Sequence, residues 1–274
     1  MSHFTVGVIT KHGSKAEVEK LLAPFNESLE VEHFISRETI IKEKREEIQE
    51  YKEGLYATYI KDPEAYAKGV TNQGHLDYLE NTFPKEMAMN DDEIYALATK
   101  FYDEDQFMEN GSIRSLYNPD SKWDWWEIGG RWDKTVPTIG GTYVNTALIK
   151  FIDFSPTEKD IAHYSEIWDA VVEGKEHDEI ALRFAPDKKS LLERYGTKEN
   201  YIEEEGGFST YATLIPITAT PNGAPKGEWI EPGAMGWFGT SSQTDESKRL
   251  YDDRVKSTMD IYKDYYLTIV DCHI

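Results

Sequence analysis

The chain has a single cysteine, Cys272. That excludes an internal disulfide framework and a zinc site built on cysteines. Positive charge is scarce: 30 Lys and Arg stand against 51 Asp and Glu, a formal charge of −21. A protein that grips a phosphate backbone or an anionic lipid surface presents an excess of cations at the contact. Direct nucleic-acid binding and membrane attachment are therefore not expected. No window approaches the ~20 apolar residues of a membrane helix. The opening, MSHFTVGVITKHGSK, has no basic n-region, no long apolar stretch and no small-residue cleavage site. A signal peptide is not expected, and a cytoplasmic location follows as the default expectation. GxSxG, paired CxxC, GxGxxG, GxxxxGK[ST] and the HxxxH, HxH and HExxH spacings are all missing. With them go the common hydrolase, dinucleotide, phosphate-loop and zinc signatures, and no cofactor is expected.

Aromatic residues are plentiful, with 7 Trp, 17 Tyr and 11 Phe in 274 residues. This argues for a packed core in a chain long enough for one large domain or two modest ones. Residues 3–10 (HFTVGVIT) read as a buried strand. Ser14 with Glu17 forms a capping box for a helix over 15–23. Strands are expected over 29–35, 143–154, 179–185 and 208–219. Helices are expected from Ser36, over 92–102, from an N-cap at Ser155 to Val172, over 187–195 and over 244–263. The chain closes on a strand, YYLTIVDCHI. The order predicts an α+β fold: a mixed or antiparallel sheet with helices on one face, as in a ferredoxin-like core with insertions. The first and last strands are candidates for neighbours. The whole chain, 1–274, reads as one elaborated domain with 36–115 a largely helical insertion.

Chemistry is concentrated in three places. The first is YNPDSKWDWWEIGGRWD at 117–133. Here Trp123, Trp125, Trp126 and Trp132 surround Gly129, Gly130 and Arg131. Indole faces can stack on a planar group while the guanidinium fork pairs with an anion. The competing structural reading is an aromatic knot on the sheet, with Arg131 paired to Asp124, Glu127 or Asp133. The second is PGAMGWFG at 232–239, where Trp237 is followed by Ser241 just before a helix; free amides there would suit an anion or an ordinary N-cap. The third is the final strand, which puts Asp271 and His273 on one face and Cys272 on the other. With His3 beside them, two His and an Asp could bind a divalent metal or serve as a general base. Ordinary end-of-strand polar residues are the alternative.

The segments YNPDSKWDWWEIGGRW, PGAMGWFG and LTIVDCHI together resemble a family of uncharacterised proteins from bacteriophages and prophages. The resemblance covers the second half of the chain and, more weakly, the first strand. It implies an accessory protein made inside a bacterial host, and no catalytic residue comes with it. Three functions then compete. The expected one is binding of a small anionic, nucleotide-like ligand by a Trp/Arg pocket made of the first two segments, with capture of a host immune signal as its use. The others are an acidic mimic of nucleic acid that inhibits a host defence protein, and a metal-assisted hydrolase built on Asp271 and His273. Catalysis and oligomeric state are left open by the sequence.

Overall fold

The computed structural model describes residues 2–176, 185–216, 227–235 and 241–274. The strand expected over 179–185 falls outside these residues except for Ala185, and Trp237 falls outside them too. The chain forms two compact units: Met1–Leu29 with Asp120–Ile274, and Glu30–Pro119.

The first unit is built on a six-stranded mixed sheet. Across it run Trp125–Ile128, Tyr266–His273, His3–Thr10, Ala212–Pro216 and Gly227–Ile230, in that order. Thr146–Leu148 pairs with the other half of the last strand. The first and last strands are antiparallel neighbours over their full length, from His3 opposite His273 to Thr10 opposite Tyr266. The first strand pairs in parallel with Ala212–Pro216 on its other side. The fold is thus α+β, with the terminal strands together at the sheet's centre.

Alternation along these two central strands makes both of their faces apolar. Phe4, Val6, Val8, Val270 and Cys272 pack with Val18, Leu21 and Leu22 of the helix Lys15–Leu22. On the opposite face Ile9, Leu267 and Ile269 pack with Met259 and Val255 of the helix Asp245–Ile261. Helices therefore stand on both faces and not on one, because strands buried on both sides need cover on both. The strand order also departs from the ferredoxin-like expectation. The first strand's parallel neighbour is the first strand of the later hairpin, Ala212–Pro216, where a ferredoxin-like sheet would place the second.

Several boundaries moved for identifiable reasons. The stretch expected as one strand over 143–154 changes partner at Asn145. Tyr143–Val144 pairs with Val136–Pro137, Thr146–Leu148 pairs with the last strand, and a 3-10 turn follows at Ile149–Phe151. The helix expected from Ser155 is capped by Thr157, in a reciprocal box with Asp160. The Asp160 carboxylate also accepts the Gly207 amide, a partner that sequence spacing cannot show.

Helices Glu158–Val171, Lys188–Arg194 and Lys198–Glu205 gather around Ile167, Trp168, Leu191, Tyr195 and Tyr201. Glu205 lies at their edge. Its carboxylate accepts the Tyr195 hydroxyl at 2.6 Å and the Lys248 ammonium at 2.9 Å, and Arg194 stands 3.3 Å away.

The second unit, residues 30–119, has an interior of its own: Ile40, Leu79, Phe83, Ile94 and Ile113 are buried. The helix Arg37–Tyr51 runs through a wider turn at Lys52–Tyr56 into Ala57–Lys61, and a second wider turn spans Tyr78–Thr82. Each wider turn shifts the phase of the helical face. This is why the stretch shows no regular apolar period. The rings of Tyr51, Tyr56 and Tyr78 close on Phe83 at 4.7, 4.9 and 5.9 Å.

Burial works to raise the Glu205 carboxyl's pKa, but the Tyr195 hydroxyl and the Lys248 and Arg194 cations outweigh it and hold it below the ordinary value of 4.5. Stability from a depressed carboxylate is fully present above the unfolded-state pKa and is lost as pH falls through the folded one. Glu205→Gln should therefore lower the unfolding free energy at pH 7 by about 1.5–3 kcal/mol, the range for hydrogen bonds to a charged group. The gap to wild type should narrow steadily below about pH 4.5, as read by urea titrations across pH.

Candidate functional site

The antiparallel register sorts the candidate residues by face. Trp125, His273 and His3 lie in one cross-strand row, and Glu127, Asp271 and Thr5 form the next row on the same face. The row beyond holds Ile269 and Gly7, where the apolar packing begins. Trp126, Cys272 and Phe4 occupy the opposite face, within the core under the first helix. One face of the central sheet thus turns polar at one end. Burial pushes the Cys272 thiol's pKa well up, which keeps it an inert core residue.

Asp271 is 1 % exposed and organises this end. One carboxylate oxygen accepts from His3 Nδ1 at 2.8 Å, and the other accepts the backbone N–H of Arg131 at 3.0 Å. The second bond requires the turn at 130–132 to lie directly over the carboxylate. Gly130 makes that approach possible: its φ is +53°, and a Cβ there would sit 2.5 Å from Asp271 Oδ2. Gly129, also at positive φ, is pressed against Asn145 in the same way. His273 has a carboxylate of its own, with Nδ1 2.6 Å from Asp124 Oδ1. The two imidazole centroids are 4.8 Å apart with planes at 66°, and Trp125 lies 6.1 Å from His3.

This geometry corrects the Trp/Arg pocket expected from the sequence. The four indoles do not converge. Trp123 is buried, and its Nε1–H donates to the Leu22 carbonyl at 3.1 Å, satisfying the end of the first helix. Trp126 packs into the core on one face of the sheet and Trp132 into the core on the other, while Trp125 remains 46 % exposed in the histidine row. Period-two alternation separates Trp125 from Trp126, and the glycine turn carries Trp132 away from both. Arg131 itself is exposed, and its guanidinium forms no ion pair with Asp124, Glu127 or Asp133. Asp124 holds His273, and Asp133 accepts from Asn145 Nδ2 at 2.7 Å. Ser241 lies short of the helix N-terminus. The helix is capped by Thr244, and the Ser241 hydroxyl is hydrogen-bonded to Tyr211 Oη at 2.6 Å and accepts the Gln243 amide.

The expected metal set of His3, Asp271 and His273 also changes. Both oxygens of Asp271 are engaged, so it orients His3 and does not face a shared centre with it. Among the described residues no group of three or more His, Cys, Asp and Glu is arranged to hold a metal ion. Among the same residues no helix is long and apolar enough to cross a membrane.

A hollow of about 490 Å³ opens on the same face of the sheet as the histidine row. Thr5 and Ile269 form its floor, and Trp132, Tyr143, Lys134 and Lys159 form part of its walls. Lys134 holds a left-handed backbone at φ +54°, the single such non-glycine position among the described residues. Its amide is fixed by Asn145 Oδ1 at 2.5 Å. Strain of this kind persists where surrounding structure enforces it. Neither Lys134 nor Lys159 is in an ion pair among the described residues. Asp160 also borders the hollow, but its carboxylate is taken up by Thr157 and the Gly207 amide. Neither lysine carries a sequence motif. Each stands within ordinary polar sequence, and only the folded chain brings them to one hollow.

Comparison of the chain with protein-family models, curated proteins and solved structures finds no match.

Gly130→Ala should destabilise the chain more than Gly141→Ala. Both residues have positive φ, but a Cβ at Gly141 meets nothing within 4 Å, whereas at Gly130 it meets Asp271. Gly141→Ala should cost about 1–2 kcal/mol of backbone strain, and Gly130→Ala that amount plus the displacement of Asp271. Equilibrium denaturation of the two variants compares them directly.

Proposed function

We propose that the protein binds a small anion bearing a planar ring, of nucleotide-like chemistry, in the hollow formed by Trp132, Tyr143, Lys134 and Lys159. The observation that carries this reading is the presence of two exposed lysines, neither in an ion pair among the described residues, at one aromatic-walled hollow. An ammonium group that no carboxylate holds is available to pair with an anion. The indole and phenol supply flat apolar surface for a base-like ring, and the Thr5 and Ser209 side chains at the same hollow offer polar contacts. The pocket expected at Trp123, Trp125, Trp126, Gly129, Gly130, Arg131, Trp132, Trp237 and Ser241 is thereby moved. Of the described residues of that set, Trp132 alone lines the new position.

The resemblance to phage and prophage proteins supports a use for such binding. A phage-encoded protein that sequesters a nucleotide signal of its bacterial host would blunt a defence response without turnover. This use rests on the resemblance, and the ligand class rests on the hollow.

Titration of the protein with a panel of nucleoside mono- and diphosphates and cyclic nucleotides, followed by tryptophan fluorescence, tests the reading. At least one member should bind, and Lys134→Gln and Lys159→Gln should each weaken it about tenfold, the loss of roughly 1.4 kcal/mol. Both lysines are exposed, so the variants should fold normally. Failure of the wild type to bind any member, or equal binding by the double variant, would contradict the proposal.

A further inference from the structure

The histidine row lies outside this hollow and carries chemistry of its own. A carboxylate only accepts hydrogen bonds, so a ring nitrogen bonded to it is the protonated one. With Nδ1 of His3 on Asp271 and Nδ1 of His273 on Asp124, the lone pair of each neutral ring sits on Nε2. Among the described residues neither Nε2 has a hydrogen-bond partner. The side chains are 19 % and 13 % exposed, so the rings are largely fixed yet open to solvent.

From this we infer that His3 and His273 together form a binding site for a divalent transition-metal ion of the zinc class. Three observations converge on it. The first is spacing. At metal–nitrogen distances of about 2.0–2.1 Å, two imidazoles on one ion at angles of roughly 90–110° place their centroids about 4.5–5.2 Å apart. The observed 4.8 Å lies within that range. The second is orientation. Metal-binding imidazoles characteristically donate their other ring N–H to a carboxylate, which fixes the ring's orientation. Here both rings do so, and each uses a different aspartate. The third is charge. Asp271, Asp124 and Glu127 occupy or flank the row, a concentration of negative charge that favours a cation over a phosphate at this position.

Asp271 and Asp124 then act as positioning residues and are not ligands. No third protein donor completes the set among the described residues, so the remaining coordination positions are filled by water. Open, water-filled positions set such an ion apart from a closed structural site. Trp125, 6.1 Å from His3 and 46 % exposed, stands beside it as an apolar wall.

Calorimetric titration of the full chain with zinc chloride tests the inference. One ion should bind per chain. His3→Gln and His273→Gln, which keep a donor for the neighbouring carboxylate, should each lose at least tenfold in affinity. Asp124→Asn, at a half-exposed position, should lose about tenfold or more through its effect on His273, and thermal melts should confirm that all three variants fold. Because 51 acids could collect zinc nonspecifically, binding that persists unchanged in both glutamine variants would overturn the inference. So would the failure of the folded wild type to bind zinc at all, or binding of inorganic phosphate lost in the same variants.

Discussion

The buried carboxylate of Asp271 is the constraint on which the polar end of the sheet depends. A charge removed from water is tolerated only with close hydrogen-bonding partners. Asp271 obtains them from two directions: His3 on the neighbouring strand and the Arg131 amide on the glycine turn. The first satisfies the carboxylate across the central strand pair. The second pins residues 129–132 over the sheet, which is why Gly130 cannot carry a side chain without moving Asp271. The positions of His3, of the turn and of Trp132 beyond it all follow from one carboxylate.

The pairing of the first and last strands has a second consequence. Their inner halves are apolar on both faces and are sandwiched by helices Lys15–Leu22 and Asp245–Ile261. Their outer ends are apolar on one face only. That asymmetry creates the row of Trp125, His273 and His3 and sets the hollow bounded by Lys134 and Lys159 on the same side. The hollow bordered by two lysines and the histidine pair flanked by aspartates thus share a face. The ligands proposed for them, an anion and a cation, are accordingly of opposite charge.

Much of the first and last strands could be read from sequence, because alternation and β-branched residues are local signals. The capping box at Ser14 and Glu17, the placement of Cys272 opposite Asp271 and His273, and the adjacency of His3 were legible for the same reason. The tryptophan-rich segment was misleading. Four indoles within ten residues suggested a cluster, but strand alternation sends Trp125 and Trp126 to opposite faces, and the turn at Gly129 and Gly130 sends Trp132 elsewhere. Lys134, Lys159 and Tyr143 could not be found from sequence, since their convergence depends on contacts between segments far apart in the chain. Asp124 stands in the sequence as a partner for Arg131, whereas the fold bonds it to His273. In the 30–119 unit the wider helical turns hid the apolar period from any analysis that assumes 3.6 residues per turn.

The histidine row depends on the direction in which the two imidazoles present their lone pairs. Nitrogen-15 NMR of the histidine side chains, recorded above the ordinary imidazole titration range, observes this directly. His3 and His273 should both be the Nδ1–H tautomer, with unprotonated Nε2, and Asp271→Asn should perturb His3 before His273. Protonation of Nε2 in either ring would mean that the aspartates do not hold them as described, and the row would lose its claim to be a site.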